Sequence, residues 1–354
     1  MLVKNTMENI RNIWIDVAHI PQFNFYRNLI LRFVADGHKV FLTVLDRGKL
    51  PDIVRRETAG VPNLQVTVIG RHRSKRWSAI LEANLLRNVQ LLWWARGKRF
   101  DIGYSNGYQL ALASRLKRFP SYSFDDDPDT PDYRPKLWFN REACYCLYGY
   151  TGRLSPKAHV LPVLKEWAYL AKDCFRPDPS VLDEYGLQPG GYVFLREVSV
   201  GTVNYSGQAE GAVLDIKDMI PEKFRVLLSL ERKSQRGLYP PDWTLLDEPL
   251  RDVRSLVYYS AGLVSSGDSM AREAALMGVP SYYLGIRYDM PANAAAARVA
   301  RLQNRRSCGI AGWLQSLECN PDSLVAERER VRDCIAAEFI DINAYMYNLV
   351  TEVK

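Results

Sequence analysis

Residues 261–285 read Ala-Gly-Leu-Val-Ser-Ser-Gly-Asp-Ser-Met-Ala-Arg-Glu-Ala-Ala-Leu-Met-Gly-Val-Pro-Ser-Tyr-Tyr-Leu-Gly, and few folds accept such a segment. The short apolar run 262–264 predicts a strand, the Ser/Gly/Asp stretch 265–269 a turn, and the alanine-rich run up to Gly278 a helix. A second strand is predicted over 280–284. Strand, turn, helix and strand in this order call for a parallel sheet, because parallel strands need a crossover. The polar turn opens onto a helix N-terminus, where unsatisfied N–H groups and the helix dipole favour phosphate. Glu273, about one turn into the helix, is placed to accept hydrogen bonds from ribose hydroxyls. A plain strand-to-helix turn with Ser or Asp as N-cap fits the same residues, so the segment alone leaves both readings open.

The alternation runs through the rest of the chain. Strands are predicted at 13–17, 39–44, 64–69, 101–104 and 121–124, and helices at 25–36, 51–58, 78–95 and 108–118. A second series follows: strands at 192–195, 224–230 and 244–246, and helices at 211–219 and 252–260. Alternating strands and helices imply an α/β class with parallel sheets and right-handed crossovers. At 354 residues two domains are the natural division. Pro177, Pro179, Gly186, Pro189, Gly190 and Gly191 mark the boundary. The expected organisation is a Rossmann-like domain over 9–170, a linker over 171–191 and a second Rossmann-like domain over 192–335. A helical region over about 320–353 opens with Asn320-Pro321, a favoured helix start; its last part, 336–354, is expected to pack back on the first domain.

With 47% hydrophobic and 25% charged residues the composition is that of a globular protein. The first eleven residues carry no apolar core of a secretory signal, and no run reaches the roughly 20 apolar residues of a membrane span. A cytoplasmic protein is the expectation, with a peripheral place on the inner membrane face as the further option. The net charge of +7 is concentrated in 71–77 (Arg71, His72, Arg73, Lys75, Arg76, Trp77) and in 93–99 (Trp93, Trp94, Arg96, Lys98, Arg99). Basic clusters beside aromatics suit an anionic surface such as lipid headgroups or a polyprenyl-phosphate carrier; a solvated loop and an ordinary helix C-terminus explain them equally well. Nucleic acid is not expected as a partner. The six cysteines, of which only Cys144 and Cys146 are close in sequence, read as free buried thiols rather than disulfides or a metal site.

Several polar residues fall where parallel sheets expose them, just after predicted strands. Asp16 ends the first strand and His19 follows it; an imidazole suits general base chemistry, and a packing or capping role is the alternative. Asp125, Asp126, Asp127, Asp129 and Asp132 follow the strand at 121–124, where one of them could contact sugar hydroxyls or act as base, and where Asp-Pro turns are the alternative. Arg141 and Glu142, after a possible strand at 137–140, are weaker candidates. Tyr239 and Trp243 fit a base-binding wall or simple packing, Glu248-Pro249 a site loop or a turn, and His38 a structural place in a helix–strand turn.

Two Rossmann-like halves, the second ending in Ser-Ser-Gly-Asp-Ser and Glu-Ala-Ala-Leu-Met-Gly-Val-Pro, resemble the GT-B glycosyltransferases and the non-hydride UDP-N-acetylglucosamine 2-epimerases that share their fold. Over nearly its whole length the chain resembles an uncharacterised bacterial and archaeal family of GT-B-like proteins, a domain of unknown function. The matching pieces are Trp14-Ile15-Asp16, Gly37-His38-Lys39-Val40, Ser229-Leu230-Glu231-Arg232, Leu246-Asp247-Glu248-Pro249 and the run from Tyr258 to Pro280. The superfamily implies two Rossmann-like domains with parallel sheets facing a central cleft. It implies an NDP-sugar, most simply a UDP-sugar, held by the C-terminal domain, with acceptor or catalytic groups on the N-terminal one. Carried onto this sequence, Ser266, Gly267, Asp268 and Ser269 would face the diphosphate and Glu273 the ribose. Epimerases place Ser-Gly-Gly where this chain has Gly267-Asp268-Ser269. Asp268 would therefore repel a diphosphate unless it points away or an arginine neutralises it, and Arg272, Arg196, Arg232 and Arg254 are candidates for that.

The four histidines, His19, His38, His72 and His159, all precede the second domain. Hydrolysing 2-epimerases resemble this chain but use a histidine just after the first strand of that domain, where Leu195-Arg196-Glu197 stands here. The balance favours a GT-B glycosyltransferase that makes cell-surface polysaccharide or glycolipid, acting on a glycan or lipid-linked acceptor. Such an enzyme has no obligatory metal or cofactor beyond the donor, and His19, Asp16 and Asp126 are its candidate catalytic groups. An NDP-sugar epimerase or hydrolase and a non-catalytic binder of anionic polymers are the alternatives.

Overall fold

The structure, a computed structural model, describes residues 10–72, 82–200, 207–246 and 252–352. The chain divides into two units: Met1–Tyr169 with Ile340–Lys354, and Leu170–Phe339.

Unit 1 is built on β1 (Asn12–Val17), whose Ile13, Trp14, Ile15 and Val17 are all buried. A strand with apolar side chains on both faces belongs in the middle of a covered parallel sheet. β2 (Lys39–Asp46), β3 (Leu64–Arg71), β4 (Ile102–Ser105), β5 (Ser121–Asp125), β6 (Glu142–Cys146) and β7 (Ala158–Leu161) complete it in the order β3-β2-β1-β4-β5-β6-β7, with every pair parallel. Ile15 pairs with Leu42 on one side and with Tyr104 on the other. The order reverses between β1 and β4, so the carboxyl ends of those two strands border the crevice where open α/β sheets bind ligands.

The helix Ile20–Ala35 begins earlier than the sequence pattern suggests, because Pro21 sits in its first turn, where a missing N–H costs nothing. It buries Phe23, Tyr26, Ile30 and Phe33 against the sheet. The C-terminal helix Ile342–Thr351 packs beside it: the Tyr347 ring stacks on Phe33 with centroids 5.3 Å apart, and Tyr104 Oη donates to Met346 O at 2.8 Å. On the other face of the sheet, Trp14, Leu91, Phe100, Leu110 and Phe119 form a core beneath the helices Arg87–Trp94 and Gln109–Lys117.

Unit 2 repeats the plan with β8 (Tyr192–Glu197), β9 (Arg225–Leu230), β10 (Thr244–Leu245), β11 (Gly262–Ser265), β12 (Ser281–Tyr283) and β13 (Leu302–Asn304). The order is β10-β9-β8-β11-β12-β13, again all parallel, with the reversal between β8 and β11. Val193, Leu195, Leu228, Val264 and Tyr282 centre its core. The helix Asp268–Leu276 crosses from β11 to β12 and stops at Gly278, whose φ is +78°. A Cβ there would lie 2.7 Å from the Arg328 Cα, so the helix Pro321–Glu338 can approach only a glycine. The two sheets, of seven and six parallel strands, make the predicted α/β, GT-B-like class.

Four local expectations are corrected. Residues 133–139 form a helix, with β6 starting at Glu142, because the run Lys136–Phe139 carries helical rather than alternating burial. Residues 211–219 form turns and one 3₁₀ segment, Lys217–Met219, not a helix. The helical region expected at 320–353, with its last part starting at 336, is two helices that part slightly later, where Phe339 turns extended and Asp341 caps the second by accepting from Ala344 N at 2.9 Å. Cysteines are free, but only Cys144 and Cys146 are buried, and Cys319 and Cys334 are exposed.

Candidate functional site

In unit 2 the polar ends of β8, β9 and β11 converge with the start of the helix Asp268–Leu276. Ser265 and Ser266 are fully buried. Ser265 Oγ donates to Gly267 O at 2.7 Å and accepts from Gly267 N at 3.0 Å, closing the turn on itself. Ser266 N donates to Arg196 O at 3.0 Å, and Ser266 Oγ accepts from Val198 N at 2.9 Å, tying the turn to β8. Gln208 Nε2 donates to Ser266 O at 2.9 Å. Gly267, the N-cap, has no side chain to satisfy the first-turn donors, which is the arrangement an anion exploits.

Asp268 is buried and lies against two cations. Arg287 Nη1 donates to its Oδ2 at 3.1 Å, and Arg272 Nη1 is 3.6 Å from the same oxygen. Arg272 also donates to Asn293 Oδ1 at 2.7 Å, which fixes its guanidinium beneath the helix. The acid that would repel a diphosphate is thus neutralised inside the protein. Glu273 stands 3.8 Å from Arg254, and Arg196 Nη1 donates to Ser229 Oγ at 2.9 Å. Arg232 is turned elsewhere, onto Glu210 at 3.1 Å, and is exposed. Tyr239 and Trp243 are core residues, and Arg236 holds their loop by donating to the carbonyls of Tyr239, Pro240, Pro241 and Trp243. Glu197 is buried at the end of β8, accepting from Val213 N at 2.9 Å; burial pushes its carboxyl above the usual range. Glu248-Pro249 lies outside the described residues.

In unit 1 a cavity of about 310 Å³ opens at the carboxyl ends of β1–β4, lined by His19, Gln22, Arg47, His72, Asn106 and Gln109 among others. Asp16 is on its wall with both oxygens occupied: Arg87 donates to Oδ1 and Oδ2 at 2.7 and 2.9 Å, and Thr43 Oγ1 donates to Oδ1 at 2.6 Å. Trp14 Nε1 in turn donates to Thr43 Oγ1 at 2.9 Å, so the pair is anchored in the core. His19 stands at the N-cap of the helix Ile20–Ala35, and Arg47 Nη1 donates to its Nε2 at 2.5 Å. Burial first, and then the charges of Arg47, Lys165, His72 and Arg87, hold its pKa down at about 3. The imidazole is therefore neutral near pH 7, with its Nε2 lone pair directed at Arg47.

The aspartate run at the end of β5 is divided between two lysines, Lys136, which is buried, and Lys165, which is half-buried. Lys136 pairs with Asp125, and with Asp132 at 2.8 Å, while Lys165 is 3.3 Å from Asp126. Asp127 accepts from Asp129 N at 3.0 Å in a local turn. Among the described residues no group of His, Cys, Asp or Glu is arranged to hold a metal ion. His38 Nδ1 accepts from Arg11 N at 3.1 Å, a structural contact. Glu142 begins β6 and Arg141 directly precedes it, at the opposite edge of the sheet from Asp126. Of the basic segments, Arg71 and His72 reach the unit 1 cavity, Trp94 joins the core beside Trp14 at 5.2 Å, and 73–77 lies outside the described residues.

Size does not mark the chemistry. A cavity of about 660 Å³ in unit 2 sits at the amino-terminal edge of the sheet beside Ala261, Pro280 and Arg301, away from the turn at 265–269. The sequence reading missed Arg47, Arg87, Lys136, Lys165 and Arg287, each the partner of a residue it singled out. Arg47 directly follows β2, and Lys165 and Arg287 lie four residues beyond β7 and β12, so the strand-end rule applied to cations would have found them.

No family model and no curated protein matches the chain. Solved structures do match in fold. The glycotransferase of kitacinnamycin superposes with a TM-score of 0.65 at 12% identity, covering 98% of this chain and 99% of its own. Anabaena HepE, solved with UDP and glucose, gives 0.62 at 12% identity, over 97% and 98%. A Listeria monocytogenes protein assigned as a UDP-N-acetylglucosamine 2-epimerase gives 0.62 at 11% identity, over 97% and 95%. The chain has the GT-B-like fold shared by glycosyltransferases and 2-epimerases.

Proposed function

We propose that the protein is an NDP-sugar-dependent glycosyltransferase of GT-B type, belonging to the uncharacterised GT-B-like family its motifs resemble. The observation that carries this reading is the glycine-capped helix start at Gly267, with Asp268 already neutralised by Arg287 and Arg272. The first-turn N–H groups of Asp268 and Ser269 then receive the diphosphate, Ser266 and Gly267 shape the turn that presents them, Arg196 adds positive charge, and Glu273 accepts from the ribose. Asp268 and Arg272 hold the turn from within, and Arg232 steadies the neighbouring loop. A UDP-sugar is the favoured donor, in keeping with the UDP and glucose bound by HepE.

In unit 1, His19 is the proposed base for an acceptor hydroxyl. Base action requires Nε2 to exchange Arg47 for that hydroxyl, and an anionic group drawing Arg47 away raises the imidazole's basicity. Asp16 acts through Arg87 as a positioning group, and Asp126, held by Lys165, is offered to acceptor hydroxyls. The acceptor is a glycan or lipid-linked sugar for cell-surface polysaccharide or glycolipid synthesis.

A thermal-shift panel of nucleotides and NDP-sugars tests the reading. A binder present at 100 times its Kd gains about 2.7 kcal/mol, so a UDP-sugar should raise the melting temperature and Glu273→Ala should diminish the rise. Unchanged melting with UDP, GDP, CMP and their sugars at millimolar concentration would remove its support. Release of UDP from a UDP-sugar at full rate without any acceptor would instead identify an epimerase or hydrolase.

A further inference from the structure

Three helical segments of unit 1, Glu82–Trp94 (a π-turn at Glu82–Leu86 running into Arg87–Trp94), Gln109–Lys117 and Tyr133–Phe139, pack side by side, the first two over the core that Trp14 centres and the third against the second. Their outward faces are unusual for a surface in water. Leu85, Val89 and Trp93 recur every fourth residue along one helical stripe and are 53%, 58% and 72% exposed; Leu116 and Trp138 on the neighbouring helices are 69% and 57% exposed. Around them Arg96, Arg99, Arg115, Arg118 and Arg134 are exposed as well. The three segments contain one acid, the buried Glu82; Asp101, between the first and second, is engaged with Asn12 N at 2.7 Å, and Asp132, the N-cap of the third, pairs with Lys136 at 2.8 Å. Between the second and third helices lies a cavity of about 480 Å³ whose lining includes Arg115, Arg141, Lys157 and His159 and no carboxylate.

We infer that this three-helix face docks on an anionic lipid bilayer, with Leu85, Val89, Trp93, Leu116 and Trp138 entering the headgroup boundary and the arginines meeting lipid phosphates. Large apolar side chains interleaved with cations and with few acids beside them are what an interfacial helix presents. A second copy of the chain fits less well, because a twofold contact would bring the same arginines face to face. Nucleic acid would match the charge but leave the leucines and valine without partners. Among the described residues no helix is long and apolar enough to cross a membrane, so the mode is adsorption. The inference goes beyond the glycosyl-transfer reading and does not depend on it; failure of the nucleotide panel would leave it standing.

Sedimentation of the full chain with vesicles tests it. Vesicles of phosphatidylcholine with phosphatidylglycerol should carry the protein down at low salt, pure phosphatidylcholine should carry far less, and high salt should weaken the binding. The double change Val89→Glu, Trp93→Glu should lower vesicle affinity by about tenfold or more, and Arg96→Glu with Arg99→Glu should erase the preference for anionic lipid. All four positions are exposed, so the melting temperature should stay put and report an intact fold. The proposal is overturned if the anionic vesicles fail to bind, or if binding survives both double changes. It is equally overturned if the Val89, Trp93 change turns a dimer into a monomer while leaving vesicle binding as it was, or if the chain binds RNA and ignores vesicles.

Discussion

His19 sits where burial and the charges of Arg47, Lys165, His72 and Arg87 all disfavour the imidazolium. Its folded pKa, about 3, lies below the 6.5 of an ordinary imidazole. The unfolded chain therefore takes up a proton as pH falls below 6.5, and the folded chain does not until about pH 3. Stability should fall on acidification through that window, with full linkage amounting to about 1.4 kcal/mol per pH unit. Urea titrations across it should show a shallower slope for His19→Gln than for the natural protein, and a histidine NMR signal that does not titrate near neutrality should vanish in the same variant. Asp16 and Arg87 make the complementary case. Arg87→Met strands a buried carboxylate and should cost about 3–5 kcal/mol, whereas Asp16→Leu together with Arg87→Met should cost distinctly less, measured by denaturant unfolding. Asp16 and His19 stood out in the sequence because they end a strand. Their partners lie 71 and 28 residues away, and no local pattern announces such a pairing.

At the scale of elements, the segment 261–285 folds as its pattern predicts, since each signal in it is local: an apolar run, a Ser/Gly/Asp turn, a glycine stop. Gly278 adds something the pattern does not carry, namely the close passage of the Arg328 backbone. Gly278→Ala meets both a left-handed φ and that backbone, and should destabilise by about 2 kcal/mol or more, read as a lowered melting temperature. Asp341 starts a helix that hydropathy alone merges with its predecessor. Asp341→Ala should cost about 1 kcal/mol through the lost cap to Ala344 N. The misplaced strand at 137–140 has the opposite origin. Seven residues are too few for helical periodicity to declare itself, and the apolar Leu137, Trp138 and Phe139 read equally well as a short strand.

At the scale of the whole molecule, the last fifteen residues belong with the first 169. Asn343 Nδ2 donates to Ala168 O at 2.8 Å, Tyr347 Oη to Asp36 at 2.6 Å, and Arg32 lies 4.0 Å over the Tyr347 ring. A chain ending at residue 339 exposes Phe33 and Tyr104 and should lose the cooperative melting of unit 1, seen by calorimetry as a lowered or missing transition. The sequence by itself determined the α/β class, the twofold recurrence of the strand–helix series and the turn at 265–269, because hydropathy period and turn chemistry act over a few residues. Only the tertiary structure decided that Arg287 neutralises Asp268, that Arg47 holds His19 and that three acid-poor helices share one exposed face. Those outcomes depend on which strands become neighbours, and strand order is fixed by packing over the whole sheet.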